Sequence, residues 1–459
     1  MEVIKPYFAS EFDKNPEDNS CVNWEYEEIR TEATSYTSST TTFEMNTRNL
    51  DAYYLPNQSF IQVQGYLATA ADEGVYEAYL TDDIPLVTGG NFVDRGFYKV
   101  DGQIVEELRS GTGLVSLAKS LLTWDNNYCN TVGAGMMMIP DKDGISAANA
   151  TVQTTITQDG STPFAVSAVI AKTDYNIPFR RRSQLTLGAT AVKKLINMNI
   201  PLPHLFEFAS VNKVLRGVKQ SLVLHRPSSV NDMIFKDGAA AAATFVPTRV
   251  SWWLPRVKPS LSLALRLETE LASDASIPWC FNEWAMYQDS SSTAATHNFR
   301  LAPIAEKPLY VIAFHTLVAN DASQTANNMV MYNPSVTRAH CRFNNRQFPE
   351  EEYQMSFAAG TEDWLRPYVD FLRFSGKNIA SSDGSLVSYT DYNALYPILV
   401  FDVSNVEENV FSAPNAANLE VRLTYASTTS ACYLNVIVIH EREVRFKGVG
   451  GSKVIIEKL

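Results

Sequence analysis

Leu419-Glu420-Val421-Arg422-Leu423-Thr424-Tyr425 alternates apolar and polar side chains with period two, the pattern of a strand with one buried face. Shortly after it, Tyr433-Leu434-Asn435-Val436-Ile437-Val438-Ile439 is apolar almost without a break. A run of that length between polar stretches reads as a strand buried on both sides. Leu309 to Val318 and Tyr396 to Val403 read the same way, with Ser221 to His225 and Val166 to Ala171 as shorter cases.

Working outward, Asp-Gly pairs at Asp101-Gly102, Asp143-Gly144, Asp159-Gly160, Asp237-Gly238 and Asp383-Gly384 supply the positive-φ residues of tight hairpins. Helical spacing is confined to Gly113 to Trp124, Thr190 to Met198 and Glu362 to Phe371. Many strands with few helices predict antiparallel sandwiches, an all-β fold. A chain of 459 residues is long enough for two of them. The expected division is an N-terminal arm over 1–42, a first sandwich over 43–256, a second over 257–447 and a C-terminal tail over 448–459. The arm is acidic and ends in a Ser/Thr run, so it is expected to order only against a partner or the body of the protein.

Only 19% of residues are charged, and the net charge is −12. An acidic chain does not coat nucleic acid, so any contact with a genome is expected to be local. Five cysteines (Cys21, Cys129, Cys280, Cys341, Cys432) are odd in number and never at C-x-x-C spacing, which argues against a disulfide framework and a zinc knuckle. Met1-Glu2-Val3-Ile4-Lys5-Pro6 does not read as a signal peptide, and no apolar run reaches the ~20 residues of a membrane span.

No nucleophile elbow, Walker A loop or H-E-x-x-H motif occurs. His440-Glu441-Arg442-Glu443 lacks the second histidine, and the glycines from Gly448 to Gly451 read as a mobile tail. The six histidines lie far apart, each expected to be a hydrogen-bonded structural residue. No catalytic residue, cofactor, metal or small-molecule substrate is expected. The sharp charge feature is Arg180-Arg181-Arg182 with Lys193-Lys194, a candidate interaction patch facing nucleic acid or an acidic neighbour, against the plainer reading of a solvated loop or an intrachain partner for the acidic excess.

Taken in order, these segments resemble the double jelly-roll major capsid proteins of Polinton-type elements, adintoviruses and virophages, distant relatives of adenovirus hexon. Tyr53-Tyr54-Leu55-Pro56 leads into Phe60 to Leu67, and Asn91 to Val105 is similar to the family's helix, strand and Asp-Gly hairpin. Leu205 to Phe208, Leu215 to Leu224 and Val230 to Phe235 resemble the closing strands of the first roll. Lys307 to Phe314 resembles a core strand of the second, and Tyr332-Asn333-Pro334 its downstream Asn-Pro. The most specific stretch is Leu386 to Phe446, which is similar to the final three strands.

The resemblance implies two tandem eight-stranded jelly rolls with short helices in long loops, in a non-enzymatic homotrimer. Such pseudo-hexameric trimers tile an icosahedral shell, with penton and minor capsid proteins as further partners. The product is a virion capsid assembled inside the host cell. The Trp252-Trp253 pair and Trp279 to Trp284 then suit subunit faces as well as they suit a core. A cellular or integrated descendant of such a capsid gene, a glycan-binding β-sandwich and a peptide N-glycosidase-like double-jelly-roll hydrolase are the alternatives.

Overall fold

The computed structural model describes residues 21–31, 42–46, 52–69, 89–141, 177–186, 195–216, 218–227, 231–235, 243–272, 276–301, 308–321, 323–324, 326–344, 346–357, 360–377, 384–404, 418–449 and 453–458. Their strands form four antiparallel sheets.

The first sheet contains β1 (Cys21–Arg30), β3 (Tyr53–Tyr54), β4 (Phe60–Thr69), β7 (Ile196–Pro201), β8 (Leu215–Arg216) and β10 (Ala243–Pro259). The second is β2 (Thr42–Asn46), β9 (Gln220–His225), β5 (Arg95–Val100) and β6 (Gln103–Leu108), in that order. The third runs β11 (Ser276–Gln288), β18 (Cys432–Val449), β13 (Pro308–Leu317), β16 (Leu399–Asp402), with β19 (Lys453–Lys458) paired to β18. The fourth runs β12 (Thr296–Arg300), β17 (Leu419–Tyr425), β14 (Val336–Phe343), β15 (Arg346–Gln354).

One connectivity occurs twice. Apart from the short β3 and β8 and the terminal β19, each half has eight principal strands. In both halves the first pairs with the eighth, the eighth with the third and the third with the sixth. The second pairs with the seventh, the seventh with the fourth and the fourth with the fifth. This is the jelly roll, present twice in tandem.

Helices fall in matching places. Between the fifth and sixth strands, the first roll carries α1 (Thr112–Thr123) and α2 (Ile177–Thr186). After α3 (Leu261–Ala272), which links the rolls, the second carries α4 (Leu365–Phe374) and α5 (Tyr389–Ala394) at the corresponding point.

The third sheet explains the unbroken apolar runs. Val311, Ala313, Leu434, Val436 and Val438 point into the second roll's own core. Ile312, Phe314, Ile437 and Ile439, alternating with them, join a larger core that also holds Ile61, Val63, Tyr98 and Trp252 of the first roll. A central strand covered on both faces has no position for a polar residue to face water, so alternation disappears from its sequence. β17 has water on one face, and its alternation survives as buried Leu419, Val421 and Leu423 between more exposed neighbours.

The Asp101-Gly102 pair turns β5 into β6 with φ of 49° and 82°, both positive as a type I′ turn requires. The other four Asp-Gly pairs and Val166 to Ala171 lie wholly or partly outside the described residues.

Four expectations need correction. Cys21–Arg30, inside the stretch read as an arm, is the first strand of the first roll, running antiparallel to β10 from Cys21 opposite Pro259 to Arg30 opposite Ser251. Its inward side offers apolar Ile29 beside polar Glu27, which left little apolar alternation to read. The end of the Thr190 to Met198 helix is instead β7, where Ile196, Met198 and Ile200 are buried between exposed asparagines. Leu205 to Phe208 is not a strand: Pro203 sits in the first turn of a short helix, Leu202–Leu205, and Glu207–Ser210 forms a 3₁₀ turn. The chain end read as a mobile tail folds back, β19 pairing with β18 from Val449 opposite Lys453 to Val444 opposite Lys458.

Glu28 clamps β1 in place. It accepts from Ser251 Oγ at 2.6 Å, pairs with Arg30 at 2.8 Å and also meets Arg249. The Arg30 hydrogen bond, helped by Ser251 and Arg249, holds the Glu28 carboxyl down at about 2. Deleting residues 1–30 removes this strand and uncovers one edge of β10. The expected result is a lower thermal melting temperature with increased aggregation. Unchanged melting of the truncated chain would contradict the placement of β1.

Candidate functional site

Among the described residues no single chemical centre dominates; the candidate functional surfaces there are the junction between the rolls and the partly exposed sheet faces. The junction is held first by Asp141, which lies between α1 and α2 and is 1% exposed. Arg182 of α2 donates from Nη2 to Asp141 Oδ1 at 2.6 Å, and Asn327 Nδ2 donates to Oδ2 at 2.5 Å. Tyr396 donates its hydroxyl to the Asp141 carbonyl at 3.0 Å. Asn327 and Tyr396 belong to the second roll, so one carboxylate ties the long excursion of the first roll to its neighbour. At this depth the pair depends on further hydrogen bonds, and each Asp141 carboxylate oxygen has a donor.

A second polar contact sits at Glu106 on β6. Its two carboxylate oxygens accept the backbone N–H groups of Glu207 and Phe208 at 2.9 and 2.7 Å. Burial pushes its pKa up to about 7, against those hydrogen bonds, which favour the carboxylate. Next to it, Trp279 of β11 stacks on Phe208 with centroids 5.0 Å apart and donates its indole N–H to the Phe208 carbonyl at 2.9 Å. Trp279 therefore seals the junction, and Trp252 fills the first roll's core. Trp253 lies half-buried on the outer face of the first sheet, its indole N–H donating to Gln62 Oε1 at 2.9 Å.

Of the five residues of the basic patch, Arg181 and Arg182 have described side chains, and these two differ in burial. Arg182 is fully buried against Asp141 and offers no charge to a partner. Arg181 is exposed on α2 and donates to Asn130 Oδ1 at 3.3 Å. The backbone of Arg180 lies on the same helix, while Lys193 and Lys194 lie outside the described residues. Nothing local marks Arg182 as internal, because its partner stands 41 positions away.

The histidines meet nearby polar or aromatic groups. His204 lies 2.8 Å from Ser116 Oγ, and His315 lies 2.8 Å from the Tyr425 hydroxyl, where burial drives its pKa down to about 3. His297 faces Asp289 at 2.8 Å, His340 faces Glu352 at 3.3 Å and His440 faces Glu283 at 3.5 Å. His225 packs edge-on against Phe97 at 5.9 Å.

A cleft of about 430 Å³ opens at one end of the junction, lined by Asp94, Arg109, Asp232 and Asp321 among others. Among the described residues no group of three or more His, Cys, Asp and Glu side chains has the geometry to hold a metal ion. Among the same residues no helix is long and apolar enough to cross a membrane.

Against known proteins, the family model for the double jelly roll-like domain matches residues 184–444. No curated protein matches the sequence. Among solved structures, a chain of the Sputnik virophage superposes with a TM-score of 0.59 at 10% identity, covering 100% of this chain and 93% of its own. The Faustovirus major capsid protein gives 0.53 at 8% identity, with 94% and 92% covered. The mavirus major capsid protein gives 0.53 at 9% identity, with 100% and 95% covered.

Asp141→Ala leaves the Arg182 charge buried without its carboxylate and is expected to cost about 3–5 kcal/mol, read as a large drop in melting temperature; a change under ~1 kcal/mol, the scale of a surface pair, would contradict the buried latch. Glu106 supplies a pH test. Its folded-state pKa of about 7 lies above the ordinary 4.5, so its contribution is fully present below pH 4.5 and is lost as pH rises toward 7. Glu106→Gln should therefore gain stability relative to the native chain across that window in urea titrations. A difference independent of pH would refute the shift.

Proposed function

This chain belongs to the double jelly roll-like family, and from that premise we propose that it is the major capsid protein of a DNA virus. The observation that carries the reading is the strand order repeated in two rolls that share one continuous core. Two similar lobes locked side by side make a rigid, two-lobed tile, and three copies present six lobes around one axis. Such a block packs hexagonally, as a shell facet requires. The likeness of the fold to the Faustovirus and mavirus major capsid proteins supports the same reading.

In this reading the chain works by packing rather than catalysis, and the virion shell is where it acts after synthesis in the host cell. Vertices of an icosahedral shell have five-fold symmetry that a six-lobed block does not fill, so separate penton and minor proteins are its expected partners. The acidic balance of −12 keeps any genome contact local. We place the first roll at residues 21–259 and the second at 276–449, with α3 between them.

Purified full-length protein tests this by negative-stain electron microscopy after size-exclusion chromatography. The expected particles are hexagonal in outline, with three times the 51.1 kDa chain mass, or closed shells. Single chains at every concentration and ionic strength would overturn the self-assembling reading.

A further inference from the structure

Because the two rolls share one strand order, each has an equivalent outer face on the sheet built from its first, eighth, third and sixth strands. In the second roll that face, with Ile312, Phe314, Ile437 and Ile439, is covered from within the chain. The covering elements include α1 of the first roll, which packs against β11 and touches α4.

In the first roll the equivalent face belongs to β1, β10 and β4, and among the described residues it is only partly covered. Trp24 and Tyr26 are 45% and 38% exposed. With Phe60 and Trp253 they form a ladder across three strands, with ring centroids 4.9, 5.4 and 6.2 Å apart in succession. Four aromatic rings side by side at a surface are the composition of a protein interface rather than of a solvated sheet.

The helix of the second roll that corresponds to α1 is α4. Its outward side carries Leu365, 57% exposed, and Val369, 39% exposed, four positions apart and so on one face. Beside them runs a cleft of about 810 Å³, whose charged lining mixes Arg366 and Arg373 with Asp363, Asp370 and Asp402.

We propose that the Trp24–Tyr26–Phe60–Trp253 ladder of one chain is the docking face for α4 of a second copy, through Leu365 and Val369. The contact repeats between chains the one that α1 makes within the chain. It rests on the capsid reading and specifies which faces build the trimer. Such an interface is head-to-tail, and it closes into a ring when the rotation per chain divides a full turn.

The test uses the full-length chain. Leu365→Glu with Val369→Glu alters exposed helix positions, so circular dichroism and melting should stay native while light scattering falls from three chains to one. In a second arm, a chain carrying Trp24→Cys and Cys280→Ser is mixed with one carrying Val369→Cys and Cys280→Ser, then oxidised. A disulfide-linked pair of unlike chains is expected, and the chain carrying both new cysteines should yield a covalent three-chain ring. An α4 variant that keeps the native oligomer, with no cross-link in the mixture, overturns this docking and leaves the capsid reading standing. A native chain that is itself monomeric and never cross-links overturns both.

Discussion

Burial of the third sheet on both faces is the constraint on which the rest of the molecule depends. Ile312, Phe314, Ile437 and Ile439 meet the large shared core, and Val311, Ala313, Val436 and Val438 meet the interior of the second roll. Each fully buried side chain of this kind contributes roughly 1.5–3 kcal/mol relative to exposure. The wall thus joins the two rolls through one shared apolar core. Without it, two sandwiches on a flexible link would hold no fixed angle and could not act as a tile.

Polar residues refine what the wall imposes. Asp141, Arg182, Asn327 and Tyr396 satisfy one another where the long excursion of the first roll crosses to the second. Glu106 satisfies two backbone donors that would otherwise be orphaned beside Trp279. These contacts add direction to a junction whose strength is apolar. The Asn327 and Tyr396 contacts to Asp141 help fix how one roll sits on the other, and it is that angle which a repeating contact between copies would have to match.

Much of the fold was legible in the sequence because burial leaves a periodic signature. β17 kept its alternation, and β13 and β18 showed continuous apolar runs because water reaches neither face. α1 and α4 appeared at helical spacing within a few residues of their ends. The failures have equally physical causes. β1 was hidden because its outward side carries Trp24 and Tyr26 while its inward side mixes Ile29 with Glu27, which reverses the usual contrast. β7 was mistaken for the end of a helix, although Ile196-Asn197-Met198-Asn199-Ile200 alternates plainly. Arg182 could not be told from its exposed neighbours, and its acidic partner could not be named, because an ion pair across 41 positions leaves no local trace. The functional surface was the least legible part: the Trp24 ladder joins residues from three strands, and only the pairing register brings them together.

The most direct test of the doubly buried wall is native-state hydrogen exchange resolved to individual strands. If the wall unites the rolls, the amides of β13 and β18 exchange slowest, and those of β10 and β4 in the first roll open with them in the same global event. Exchange of β10 and β4 through a separate opening, while β13 and β18 stay protected, would contradict it. The rolls would then be independent units that share a chain but not a core.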